Sequence, residues 1–275
     1  MKKEKKDQFI IAYIADLDHP ETVVSHASWL ARMLRKGLIL LHISDPRYTT
    51  VTTEDAESRL KQFCADTSHT YAALKGDTRQ IITALPKLIG AVTIVAQVIP
   101  HARRRSPLSR HSILRNFADS RAAFLVVQKP LDNDSVPTDI AMSVDFKKES
   151  KDKFIWSSYF PRFCNCRMHV LHYDYRDQFL RTKWQANITQ LSKLYEETGI
   201  SFQSHIIPGK STFQDINALR FTASQGYDML ISVTTKEKDG LEFFVGVQEQ
   251  RTIVNKQQIP ILFLNPREDL YVLCD

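Results

Sequence analysis

The sequence predicts an α/β protein built from two doubly wound, five-stranded parallel sheets in tandem. Three observations carry this. The chain has 275 residues, comfortable for two domains of about 130 to 140 residues. Short apolar runs alternate with helix-length amphipathic segments. That order occurs twice, with matching landmarks in both halves.

The apolar runs of the first half predict strands near 8–16, 38–44, 69–75, 91–97 and 123–128, with helical spacing between them. The segment PETVVSHASWLARMLRKG shows the helical pattern best. Pro20 suits a first turn, Val23, Val24, Ala27, Leu30, Ala31 and Leu34 recur at helical spacing, and Gly37 is the expected stop. The second half repeats the order with IAMSVDF (140–146), MHVLHYDY (168–175), SFQSHII (201–207), YDMLISV (227–233) and IPILFL (259–264). Short apolar strands alternating with helices imply parallel sheets covered on both faces, because right-handed crossovers place the helices there.

Landmarks pair across the halves. Asp16 pairs with Asp145 at an offset of 129, Leu41-His42 with Leu171-His172 at 130, Gly76 with Gly209 at 133 and Gly90 with Gly226 at 136. Duplication followed by small loop insertions produces such a drift. The expected domains are 1–135 and 136–275.

Composition narrows the function classes. A content of 43% apolar and 25% charged residues is that of a chain able to bury cores. The run FIIAYIA meets Asp16 too soon for a membrane span and lacks a cleavage site, so it reads as a first strand of a cytoplasmic protein. Four cysteines (Cys64, Cys164, Cys166, Cys274) do not make a disulfide scaffold in so long a chain. The net charge of +6 lies wholly in residues 1–135, which hold 20 Lys and Arg against 14 Asp and Glu, while the remainder holds 17 of each. Lys2, Lys3, Lys5 and Lys6 account for much of the excess, so the charge argues against nucleic acid as a partner.

Seven runs resemble a known family. IIAYIADLDHPETVVSHASWLARMLRKGLILLHISDP is similar to the opening of a universal stress protein domain. GDTRQIITALPKLIGAVTIVAQ and RAAFLVVQKP resemble its later parts. IAMSVDF, MHVLHYDY, SQGYDMLISV and IPILFLNP carry the resemblance through the second half. It implies a Rossmann-like sheet of the adenine-nucleotide alpha-hydrolase type in each domain, a pseudo-dimer made by fusion, and possible self-association as a homodimer. It also implies, for ATP-binding members, an Asp after the first strand and a loop G-x-x-G, nine residues, then G followed by Ser or Thr.

That loop is degenerate here. Counted from TIVAQ, the glycine positions fall on Gln97, Pro100 and Arg110, with His111 in the hydroxyl place. Counted from MLISV, they fall on Val233, Lys236 and Gly246, with Val247 last. Glycines let a backbone approach phosphate and aim its amides at it, so a glycine-free loop makes a poor cradle. The resemblance carries a nucleotide contact to Asp16 and Asp145, with Lys236 and Gly246 completing a second-half site; the alternative for both acids is a helix cap or solvent.

Arg103, Arg104, Arg105 and Arg110 stand where phosphates would have been, and are candidates for holding a small anion by side chains, against a solvated charged loop. Cys164, Cys166, His169 and His172 invite a metal reading. Strand alternation places His169 and His172 on opposite sides, so no metal is expected. Ser106, Ser109 and Ser112 beside His101 and His111 lack the glycine-flanked nucleophile elbow, and no enzyme is expected. The helix DQFLRTKWQANITQLSKLYEETG sets Phe179, Leu180, Trp184, Ile188, Leu191 and Tyr195 along one core face.

The sequence therefore reads as a stress-associated binding or regulatory protein of the cytoplasm without robust ATP binding and with no resident cofactor. One alternative is an adenine-nucleotide binder that uses mainly the second domain. Another is an oligomeric subunit that pairs through exposed final strands, FLVV (124–127) or ILFL (261–264).

Overall fold

The computed structural model of the chain describes residues 8–65, 69–132, 136–234 and 249–266. The chain divides into two compact units, Met1–Ser135 and Val136–Asp275. In the first, β1 (Phe9–Tyr13), β2 (Gly37–Ser44), β3 (Thr70–Lys75), β4 (Ala91–Gln97) and β5 (Ala123–Val127) alternate with α1 (Glu21–Leu34), α2 (Thr53–Phe63), α3 (Thr78–Ile89) and α4 (Arg110–Phe117). All pairs are parallel, in the order β3-β2-β1-β4-β5. In the second, β6 (Asp139–Ser143), β7 (Arg167–His172), β8 (Phe202–Ile206), β9 (Met229–Val233) and β10 (Ile261–Leu264) follow the same plan, β8-β7-β6-β9-β10. Its described helices are α5 (Asp152–Cys164), α6 (Gln178–Glu197), α7 (Gln214–Gln225) and a single turn, α8 (Glu249–Thr252). Strand order reverses between β1 and β4, and again between β6 and β9, so each unit has its ligand crevice position at the carboxyl ends of those strands.

The central strands are dry. Ile10, Ile11 and Ala12 in β1, and Ile140, Ala141 and Met142 in β6, have no exposed surface. Such strands cannot alternate polar and apolar residues, which is why they stand out as continuous apolar runs. The final strands, expected as exposed edges, are buried instead: every residue of β5 and of β10 is buried, with Phe124 and Phe263 fully so. Their side chains are apolar towards both faces, and that composition suits a packed core rather than an open edge.

Two sequence expectations about helix ends and faces need correcting. Gly37 does not stop α1. Arg35 takes the left-handed conformation at φ 53°, and Lys36 N–H donates to Ala31 C=O. Gly37 instead begins β2, where a Cβ would sit 2.6 Å from the ring of Phe9; the glycine is required by close approach, not by a turn. On α6 the buried residues are Asn187, Leu191 and Tyr195, whereas Phe179 is 65% exposed with the Lys183 ammonium 4.2 Å over its ring. The apolar stripe bends out of the core because Asn187 donates to the Asp145 and Lys147 carbonyls at 2.8 and 2.9 Å and must face inward.

The duplication is visible in the ladders. Leu41 and Leu171 occupy equivalent places in β2 and β7, and α3 and α7 both end on a left-handed glycine, Gly90 (φ 73°) and Gly226 (φ 69°). A Cβ at position 226 would meet nothing within 4 Å, so only conformation opposes a side chain there. Gly226→Ala is expected to cost about 1 kcal/mol, read as a lower urea midpoint with unchanged slope; an unchanged midpoint would contradict the cap.

Candidate functional site

The carboxyl edges of the central strands differ between the units. In the first, the last ladder bond of β1 runs from Ile14 N–H to Leu41 C=O at 2.8 Å; in the second, Val144 N–H donates to Leu171 C=O at 2.8 Å. Ile14 and Val144 are therefore equivalent at an offset of 130. Asp145 follows Val144 directly, but the residue after Ile14 is Ala15, and Asp16 comes one later. The two acids that pair in sequence are thus one residue out of register. Both lie beyond their strands, which end at Tyr13 and Ser143.

Asp16 serves its own loop, accepting from Asp18 N–H at 3.0 Å and facing His19 Nδ1 at 3.2 Å. Asp145 accepts from Lys147 N–H at 3.0 Å and from the Ser150 hydroxyl, whose oxygen in turn accepts from Asp145 N–H. Each acid thus shapes a turn after its strand.

In the first unit, Tyr13 fills the end of β1. Its ring is 2% exposed and meets Phe117 of α4 edge-on at 5.8 Å; burial raises its pKa above the normal phenol range. The segment 98–109 that follows β4 is folded onto itself. Ile99 N–H donates to Leu108 C=O at 3.0 Å, Ser106 N–H to Arg103 C=O at 2.7 Å, and the Ser109 hydroxyl to Arg104 C=O at 3.0 Å. Ser109 also caps α4 by accepting from Ser112 N–H. Five amides of the segment, those of Ile99, Ala102, Ser106, Leu108 and Ser109, are thus engaged within it. Arg103, Arg104, Arg105 and Arg110 are all exposed around it, and burial, with the positive charge of Arg104 and Arg110 added, lowers the pKa of His111.

A network absent from the sequence reading lies beside it. Asp45, 1% exposed at the end of β2, accepts from Arg47 N–H, Nε and Nη2 and from Thr78 N–H and Oγ1, at 2.6 to 3.0 Å. Burial opposes its ionisation, but these donors outweigh burial and hold the carboxyl well below the usual range.

In the second unit the strand ends are small: Ser143 stands where Tyr13 stands, and Ser232 where Ala96 does. Lys153, on the first turn of α5, is 3% exposed and brings its ammonium to 3.5 Å from Ser143 Oγ. Asp215, at the start of α7, accepts from Ser232 Oγ at 2.9 Å. The residue keeps some surface, yet its carboxyl group lies deep, and burial pushes its pKa up against the opposing charge of Lys153. Burial likewise pushes Lys153 down, opposed by Asp145, Asp215 and Asp152. Ser143, Lys153, Asp215 and Ser232 thus bring a dry ammonium and a dry carboxyl to the switch point, an arrangement able to hold a charged or hydrogen-bonding group. Sequence reasoning missed both ionic residues. At the offset of 130, however, Lys153 falls on Val23, a buried position of α1, and that signal was available. Lys236 and Gly246, the other second-half candidates, lie outside the described residues.

The cysteine and histidine group does not converge. Cys166 Sγ donates to Pro137 C=O at 3.0 Å; His172 contacts Ser204 and the Trp184 ring. His169 belongs to a chain at the opposite end of the sheet, with Nε2 2.8 Å from Asp139 and Nδ1 3.1 Å from His205, under the stacked ring of Tyr227. Among the described residues no group of three or more His, Cys, Asp or Glu is placed to hold a metal ion, and no helix is long and apolar enough to cross a membrane.

Solved structures with this architecture extend over the whole chain. A universal stress protein from Archaeoglobus fulgidus superimposes with a TM-score of 0.65, covering 95% of this chain and 97% of its own at 10% identity. The chain has the universal stress protein fold. A functionally unknown protein from Pseudomonas aeruginosa matches at a TM-score of 0.64 and 15% identity over 96% of this chain and 95% of its own. No protein-family model and no curated protein matches the sequence. Both structures are matched over nearly their full length and nearly that of this chain.

Replacing Lys153 by Met keeps the length of the side chain and removes the charge that faces Asp215. The folded-state pKa of Asp215 is raised, so its ionisation costs stability as pH rises through the unfolded value near 4. The loss in Lys153→Met is therefore expected to be on the order of 2 kcal/mol at pH 8 and to shrink towards pH 5. Urea unfolding at both pH values checks this; an equal loss at both would contradict the pairing.

Proposed function

We propose that this chain is a stress-associated binding or regulatory protein of the cytoplasm that does not bind ATP robustly and has no enzymatic activity of its own. The observation that supports this best is the closure of 98–109. The amides of Ile99, Ala102, Ser106, Leu108 and Ser109 donate within it, Leu108 is buried, and no glycine occurs in it, so a phosphate meets side chains and several occupied donors in place of a glycine-lined cradle. Asp16 adds to this reading, since its carboxylate is committed to its own turn. The exposed arginines Arg103, Arg104 and Arg105 suit a small anionic ligand held by side chains alone.

A second reading has the second unit bind an adenine nucleotide with Asp145, Lys236 and Gly246. The buried ammonium of Lys153 at the switch point favours it, because an anion arriving there would gain a desolvated positive partner.

Titration of the whole chain with a fluorescent ATP analogue separates these. The first reading predicts no saturation up to about 1 mM, weaker than about −4 kcal/mol. Micromolar binding that Lys153→Met or Asp145→Ala abolishes would establish the second in its place. Self-association belongs to the proposal as well: light scattering is expected to give a mass above that of one chain, and a plain monomer would remove it.

A further inference from the structure

The carboxyl end of α5 carries two thiols across one left-handed residue. Cys164 closes the helix, Asn165 follows at φ 56° and ψ 35°, and Cys166 leads into β7. The span between the Cα atoms on either side of a residue is set by that residue's φ and ψ. Asn165 has nearly the mirror image of helical angles, so it holds the Cα atoms of Cys164 and Cys166 at the helical two-residue spacing of about 5.4 Å. That lies well inside the reach of a disulfide, whereas an extended residue between them would set about 7 Å, at its outer limit. The turn itself is repeated. At the offset of 130, Asn165 falls on Arg35 at φ 53°, but there Leu34 and Lys36 flank it, so the second unit alone places sulfur on both sides.

The two thiols sit in unequal surroundings. Cys166 is 6% exposed with its Sγ donating to Pro137 C=O at 3.0 Å, whereas Cys164 keeps part of its surface. Each also lies within hydrogen-bond reach of the other. A bond from the Cys166 thiol lowers the pKa of Cys164 against burial, and the same contact, together with burial, raises that of Cys166. A partly exposed sulfur with thiolate character beside a second cysteine is the arrangement of a peroxide-sensitive pair. A metal suits it poorly, because among the described residues no third His, Cys, Asp or Glu joins the two as a ligand.

We propose that a hydroperoxide converts Cys164 and Cys166 into a reversible disulfide. The Cys164 thiolate attacks a peroxide oxygen and the O–O bond breaks; the leaving oxygen takes a proton from solvent and departs as alcohol or water, and Cys164 becomes a sulfenic acid. Cys166 sulfur then attacks Cys164 sulfur. The S–S bond forms, the S–O bond breaks, and the hydroxide leaves with the Cys166 proton as water, so two electrons have passed from the thiols to the peroxide. Cys164 stays open to solvent, and a dithiol reductant reaches and reverses the bond by exchange. No residue of either switch point takes part.

The test reads the tryptic peptide 163–167, FCNCR, which holds both thiols and no other cysteine. The whole folded chain is treated with hydrogen peroxide, quenched with iodoacetamide and digested. The peptide is expected to be lighter by two hydrogens and free of alkylation, and dithiothreitol added before the quench should return it doubly alkylated. With Cys166→Ser the reaction should stop at the sulfenic acid, so that dimedone labels Cys164 about tenfold more than in the parent chain. With Cys164→Ser, Cys166 should stay a thiol. In urea, where nothing holds Asn165 left-handed, closure of the parent chain at neutral pH should be slower by about threefold or more. The first and last readings use the unaltered chain and depend on no variant. A peptide that stays reduced while Cys64 or Cys274 is oxidised, equal dimedone labelling in the parent and Cys166→Ser, oxidised Cys166 in Cys164→Ser, or equal closure rates in the folded and unfolded chain would overturn the pair.

Discussion

The register of the innermost parallel strands is the constraint on which the rest depends. Both faces of β1 and β6 are dry, so their backbone groups must find partners in the neighbouring strands, and a slip would leave buried amides without acceptors. The ladder ends with Ile14 on Leu41 and Val144 on Leu171, and every residue at the carboxyl edge is placed by counting from there. A shift of one residue gives the second unit an acid directly after the ladder and the first unit Ala15. The duplication preserves the frame; the crevice residues vary upon it.

Those crevices are filled from different elements. In the first unit a strand residue, Tyr13, closes the space against Phe117, and the following loop tightens on itself. In the second, Ser143 leaves room where Tyr13 stands, and Lys153 of the next helix reaches in from a position that Val23 holds in the first. Trading an aromatic ring for an ammonium and a carboxyl is costly unless each charge has a partner. The long approach of Lys153 to Ser143, and the pKa shifts of Lys153 and Asp215 driven by burial and opposed by each other's charge, describe two ionic groups held in a dry place.

Strand order was legible because fully buried parallel strands leave continuous apolar runs, and the repeat was legible because Gly90 and Gly226 need the same left-handed turn. The missed pieces share a cause. Lys153 sits in the charged run KKESKDK, which reads as solvated surface until the repeat maps it onto a buried helix position. Asp45 lies in a turn whose five donors come from Arg47 and Thr78, the latter 33 residues away, and no local pattern announces such convergence. Gly37 was read as a stop because glycine usually is one, whereas the ring of Phe9 is what requires it.

Hydrogen exchange across residues 98–112 tests the central claim, that the first crevice is closed by its own chain. Slow exchange is predicted at Ile99, Ser106 and Ser109, whose amides donate within the segment, with no change when millimolar ATP is added. Rapid exchange that turned slow on adding ATP would show an open loop completed by nucleotide, and would contradict the account.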